Sequence, residues 1–169
     1  MGFPRKLKQM ALFVDGAWIA ENISMTLPKL ARKFEEYRGG GMGGAVGVDM
    51  GADGLLEAQW SCGGWVRDVL RQYGASISGT QLRFVGSLEN DDTGELTSVE
   101  VVMRGRHQEI DLGESKPGED TEMKIKSVLA YYKLDWNGAT DIEIDRLGMI
   151  EIVGGVDLMA GHRANLGFL

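Results

Sequence analysis

Two stretches of this chain alternate between apolar and polar residues for longer than a domain of its size can accommodate. From Thr97 to Ile110 and from Glu122 to Trp136 the pattern has period two and contains no proline. As strands, each would extend roughly 45–50 Å at ~3.3 Å per residue, against a usual strand of ~5–6 residues. A compact domain of this length is only about 40 Å across. Such strands cross or overrun their own domain, and a sheet shared between copies of the chain accommodates them economically. In the first stretch Val99, Val101 and Met103 mark the core side, which places Glu100, Arg104, Arg106 and Gln108 on the polar side. The second changes character midway. Met123, Ile125 and Leu129 are apolar against the polar Glu122, Lys124 and Lys126, but from Val128 onward Ala130, Tyr132, Leu134 and Trp136 are apolar too. A run apolar on both sides predicts cover on both faces, from a helix or from a neighbouring subunit.

The rest of the chain reads as shorter strands. Lys8–Val14 and Ala17–Ile23 flank Asp15-Gly16, a two-residue hairpin signal, and Asn137-Gly138 is a second one leading into Asp141–Asp145. Leu56, Ala58, Trp60 and Cys62 alternate with Glu57, Gln59 and Ser61, and Leu82, Phe84 and Leu88 mark another strand. Met149–Val153 predicts a short strand. Between them Trp65, Val66, Val69, Leu70 and Tyr73 recur at helical spacing, with Gly74 placed to end the helix. Val156–Leu166 reads as a short tail helix weakened by Gly161. The segment Lys29–Tyr37 fits either period. It runs into Arg38-Gly39-Gly40-Gly41-Met42-Gly43-Gly44, a tract too rich in glycine for a helix and too long for a tight turn, so an extended loop is expected over about 38–54. Strands Leu55–Cys62, Leu82–Glu89, Thr97–Ile110 and Glu122–Asp135 are expected to form one sheet with a polar face, and an apolar face carrying the helix. The fold class is mainly β, antiparallel, in a single domain over 1–169.

The bulk properties bound the function. Glycine is about twice its usual ~7% share, 25 of 169 residues, and it clusters between strands. No run of ~18 apolar residues is present, so no membrane anchor is expected. Met1-Gly2-Phe3-Pro4-Arg5-Lys6 lacks the features of a signal peptide or a myristoylation site. Cys62 is the single cysteine, which excludes an intrachain disulfide and suits a reducing compartment. The formal charge of −7 argues against a protein that holds nucleic acid, since phosphate neutralisation needs positive surface. It is compatible with one that lets nucleic acid pass.

No active site emerges. Gly39–Gly44 matches G-x-G-x-x-G literally, but Ala45-Val46-Gly47-Val48-Asp49 opens no helix to hold a pyrophosphate. No cofactor is expected. His107 and Glu109 share a strand face by parity, yet two ligands are too few for zinc, and a solvated strand edge is the reading taken. His162, beside Arg163, reads as a surface or interface residue, and Cys62 as a buried small hydrophobe.

A resemblance then becomes specific. It is carried by Pro4-Arg5-Lys6-Leu7, Leu12-Phe13 with Asp15-Gly16, Thr26-Leu27-Pro28-Lys29-Leu30 and Tyr37-Arg38-Gly39-Gly40-Gly41-Met42. It continues through Asp92-Thr93-Gly94, Val101-Val102-Met103-Arg104-Gly105, Glu109-Ile110-Asp111, Gly118-Glu119 and Tyr131-Tyr132-Lys133-Leu134. Glu143-Ile144-Asp145, Gly155-Val156-Asp157 and Asn165-Leu166-Gly167 complete it. These segments, in order along nearly the whole chain, resemble the major tail tube proteins of contractile-tailed bacteriophages and R-type tailocins, with the fold of the type VI secretion tube protein. The resemblance implies an antiparallel β-barrel or sandwich of the tail-tube type with one helix, its strands forming a continuous inner barrel across a hexameric ring. The rings would stack into a hollow tube inside a sheath, with no catalytic role. It implies as partners further copies of the chain, the sheath, baseplate and tail terminator proteins, the tape measure protein during assembly, and passing DNA. The expected place is the virion tail or tailocin particle, assembled in the host cytoplasm. Tyr37, Arg38, Gly39, Gly40, Gly41, Met42, Gly43 and Gly44 would form the inter-ring loop, with the glycines as its hinge. Glu57, Gln59, Glu100, Arg104, Arg106, Gln108, Glu122, Lys124 and Lys126 would face the lumen. A secretion tube carrying effectors, and a monomeric ligand-binding barrel closed within one chain, are the competing readings.

Overall fold

The computed structural model describes residues 2–168. Both long strands form. Leu96–Asp111 is strand β8 and Met123–Trp136 is β9, with β1 (Arg5–Val14), β2 (Ala17–Trp18), β3 (Asn22–Thr26), β4 (Arg32–Tyr37), β5 (Val46–Ala52), β6 (Leu56–Cys62) and β7 (Thr80–Asn90) preceding them. β10 (Ala139–Asp145), β11 (Ile150–Val153) and β12 (Val156–Asp157) follow, and the helices are α1 (Arg67–Leu70) and α2 (Ala160–Asn165). Every strand pairing is antiparallel. The expected four-strand sheet is present as β6-β9-β8-β7, continued by β1 beyond β7 and by β3 beyond β6. Asp15-Gly16 and Asn137-Gly138 close their hairpins with positive φ at both residues (49° and 84°, 50° and 82°), the geometry that matches strand twist.

β9 pairs with β8 along its whole length, so its other edge is shared. Residues 123–129 of that edge pair with β6, and residues 131–136 pair with β10. At the junction Arg104 is opposite Tyr131 but Gly105 is opposite Leu129, which leaves Ala130 as the extra residue of a bulge. The sheet therefore forks into two wings that share β8 and β9. The bulge also explains the mid-strand change of pattern. Met123, Ile125 and Leu129 are buried before it, Ala130 and Tyr132 after it, and the side that faces the core switches parity. The expected double cover is replaced by a phase shift.

One core lies between the wings. It joins Leu12 and Val14 of β1, Leu56, Ala58 and Trp60 of β6, Leu82 and Phe84 of β7, Val101 and Met103 of β8, and Ile125 and Tyr132 of β9. Cys62 is fully buried there, and burial pushes its thiol up to about 11, as expected of a small hydrophobe. The helix predicted over Trp65–Tyr73 shrinks to the single turn α1. Only Val66 and Val69 of that stripe are buried, while Trp65 and Tyr73 are exposed. Gly74 takes the positive φ expected at the segment's end. The tail also differs: Val156–Asp157 pairs with β11 before α2 begins at Ala160. Ala17–Ile23 is broken at a turn, and β3 leaves β1 to pair with β6. Among the described residues the wings do not close on each other as a barrel within one chain, in contrast to the single-chain binding barrel of the competing reading.

Candidate assembly surfaces

The first wing, in the order β3-β6-β9-β8, ends in two open edges. Among the described residues β3 pairs only with β6. β8 is paired on both sides as far as Gly105, but residues 106–111 have only β9 as neighbour among the described residues. Unpaired strand edges of this kind are templates for another chain. Short edges are usually blunted by proline or by a covering loop. Neither edge here contains proline.

The face of this wing away from the core is polar and concave. Ser24 and Thr26 of β3, Gln59 and Ser61 of β6, and Glu122, Lys124 and Lys126 line the depression with Glu109 and Asp111. Lys126 pairs with Glu57 at 3.4 Å across the strands. In register, Glu109 stands opposite Lys126 and Asp111 opposite Lys124. Arg106 and Gln108 are exposed on the open half of β8. A second bulge, between His107 and Glu109, carries Gln108 as the extra residue. Seven of the nine polar residues read from strand alternation thus gather on this wing or at its rim. Glu100 and Arg104 share their β8 face but lie in the other wing. Arg83 Nε donates to Glu100 at 2.8 Å, and its guanidinium lies 5.0 Å from the Phe13 ring centre. Arg104 stacks 4.3 Å over Tyr131, whose hydroxyl donates to Glu143 at 3.0 Å. Burial, reinforced by that carboxylate, pushes the Tyr131 phenol up to about 12.

His107 corrects the expectation of a solvated edge. It is buried, and the second bulge turns Glu109 onto the opposite face, so the two never converge. Gln72 Nε2 donates to Asp15 at 2.8 Å, which turns Gln72 Oε1 toward His107 Nε2 at 3.0 Å. Nε2 must then carry the proton, and Nδ1 accepts from Ser127 Oγ at 2.9 Å. Trp60 Nε1 donates to the same Ser127 oxygen at 3.2 Å. Burial lowers the imidazole pKa, opposed by Asp15, so His107 is held neutral as a staple between α1's segment and the sheet. Sequence spacing gave no sign of this network, because Asp15, Gln72 and Ser127 come from three separate elements.

The glycine tract is also corrected in form. The expected loop is a β-hairpin arm, β4 paired with β5, and it forms a separate two-stranded sheet. Gly39–Met42 is the turn at its tip, closed by Met42 N–H to the Gly39 carbonyl at 3.2 Å, with Gly41 at φ 84°. The glycines therefore cap the arm. Tyr37, Val46 and Val48 share one face by register, and all three are exposed, as is Phe34 on the other face. A lone two-stranded hairpin is marginal in water, and exposed apolar residues on one predict a partner.

Open edges, a polar concave wing and an exposed apolar arm together give a mainly β subunit with unpaired backbone and uncovered apolar surface. A family match then gives that class a specific identity. The chain belongs to the phage tail tube protein FII family, whose model matches residues 4–167. It is 49% identical over 171 residues to the tail tube protein of Escherichia phage P2, covering 99% of each chain. It is 45% identical over 152 residues to the major tail tube protein of Serratia phage KSP20, covering 89% of this chain and 88% of that one. Its fold resembles that of the sheath/tube terminator of an extracellular contractile injection system, PVC, in the extended state. That match has a TM-score of 0.58 at 12% identity and covers 79% of this chain and 97% of the other.

Proposed function

We propose that this chain is the structural subunit of the inner tube of a contractile tail and has no catalytic role. The observation that carries the reading is the four-strand wing open at both edges. Placing the free half of β8 against β3 of a neighbouring copy closes both edges at once, and repetition around an axis turns the polar concave face into the wall of a channel. Six copies are the number that the family resemblance implies. The arm, with Tyr37–Gly44 at its tip, reaches the adjacent ring and buries its apolar face there. Glu57, Gln59, Arg106, Gln108, Glu122, Lys124 and Lys126 line the conduit, with Glu100 and Arg104 at its margin. DNA slides through without specific binding. Outside the tube lie the sheath, the terminator and the baseplate, and the tape measure protein occupies the lumen during assembly, which takes place in the host cytoplasm.

A cysteine on each open edge tests the reading. Ser24→Cys and Glu109→Cys in one chain, treated with a short bis-maleimide, should give a ladder ending at a closed ring. Buried Cys62 stays out of the reaction. Absence of any intermolecular product at concentrations where particles form would show that these edges do not meet.

A further inference from the structure

The arm touches the body in a way that leaves its angle underdetermined by packing. Its two strands emerge side by side, joined by Asp53 N–H to the Ala31 carbonyl at 2.9 Å. Beyond that point a groove of about 610 Å³ separates the arm base (Leu30, Ala31, Ala52) from Ile142, Ile144 and Val153 of the β10–β11 hairpin. A groove of that size leaves no close-packed seam to fix the arm. Arg146 Nη1 of the body donates to the Gly54 carbonyl at the foot of the arm at 2.8 Å, and one side chain of the arm itself spans the groove. Arg32 Nε donates to Asp49 of the arm at 2.6 Å, and Arg32 Nη1 donates to Glu151 of β11 at 2.5 Å. Asp49 is itself anchored within the arm, since its other oxygen accepts from Gly51 N–H at 2.9 Å. Glu151 is the more buried partner, with its side chain 15% exposed. The two forks of one planar guanidinium thus join a carboxylate that moves with the arm to one that belongs to the body.

We propose that Arg32 is the positioning residue of the arm: by bridging Asp49 and Glu151 it sets the angle at which the hairpin leaves the subunit and meets the next ring. The consequence for stacking rests on the tube reading above, whereas the positioning itself does not. The two carboxylates separate the roles. Glu151→Gln takes the charge out of only the link to the body, and Asp49→Asn takes it out of only the link inside the arm.

The test places nitroxide labels at Gly44→Cys on the tip and Asp92→Cys on the body, and measures their distance distribution by pulsed electron resonance in the free subunit. The unsubstituted arm should give one narrow distribution. Arg32→Gln and Glu151→Gln should broaden it equally, and the double variant should add nothing further, as expected of partners in one interaction. Asp49→Asn should leave it narrow. The melting temperature should not move in any of them. In assembly, each of the two bridge variants should weaken ring stacking by roughly threefold to fivefold per contact, the order of a partly exposed ion pair. Distributions that stay narrow in Arg32→Gln and Glu151→Gln overturn the proposal. If the unsubstituted chain forms no tubes, the tube reading fails while the distance result still decides the role of Arg32.

Discussion

Gly105 lies where β8 crosses the bulge of β9, and a Cβ added there would stand 2.1 Å from the Val128 carbonyl oxygen and 2.7 Å from the Leu129 Cα. Both obstacles are backbone, so neither can rotate away. Gly105→Ala should therefore cost on the order of 3 kcal/mol or more, a large part of the ~5–15 kcal/mol that holds a domain folded. Chemical denaturation of the variant measures this, and a loss below about 1 kcal/mol would mean that the strands separate easily at the fork. His107 gives a residue-scale prediction in pH. Its pKa is lowered in the fold from an ordinary value of 6.5, so the unfolded chain binds the proton first as pH falls. Its contribution is complete above about pH 6.5 and is lost as pH drops toward the folded value. Protonation also leaves the Ser127 hydroxyl without its acceptor. Stability should decline between pH 7 and pH 5, and His107→Gln should flatten that decline; an identical slope in the variant would remove the staple from the account.

At the scale of elements, the arm should be separable from the core. Its strands are exposed throughout except for Gly51, and no core residue comes from it. Replacing residues 33–51 by a short Gly-Ser turn should leave the melting temperature within a few degrees, while tube growth stops. Continued growth of full-length tubes would assign the arm another purpose. The elements were legible in the sequence where one signal dominated. Long alternation gave β8 and β9, and Asp15-Gly16 and Asn137-Gly138 gave their hairpins. The helix around Val69 was overread because Trp65 and Tyr73 fit its stripe yet face outward. The arm was missed as a hairpin because Gly47 and Gly51 dilute the alternation of β5, whose strand character depends on pairing with β4. The fork was visible only as a change of pattern near Leu129-Ala130. That pattern fits a second cover as well as a bulge, and only the pairing of β9 decides between them. Of the candidate site, strand parity put most of the polar residues of the first wing on one face, but parity carries no knowledge of which half of β8 lies beside which wing. Arg32 left no sequence signal, because its partners lie 17 and 119 residues away.

At the scale of the whole molecule, the polar wing has four carboxylates (Glu57, Glu109, Asp111, Glu122) against three cations (Arg106, Lys124, Lys126). Many are closer than the ~8 Å Debye length at physiological salt, so their fields largely cancel at the wall. Assembled tubes should bind duplex DNA negligibly under those conditions. Glu57→Lys together with Glu109→Lys leaves two carboxylates against five cations and should produce binding that falls steeply with added salt. Tight binding by the unsubstituted tube, measured by co-sedimentation, would contradict the cancellation of charge along this wing. A cryo-electron microscopy reconstruction of the assembled protein would show whether the open edges of the first wing close on neighbouring copies. Stacked rings are expected in which residues 106–111 of β8 hydrogen-bond to β3 of the adjacent copy, with Glu57, Lys124 and Lys126 facing the channel. Rings held together through other surfaces, with both edges left in solvent and those side chains turned outward, would contradict that closure.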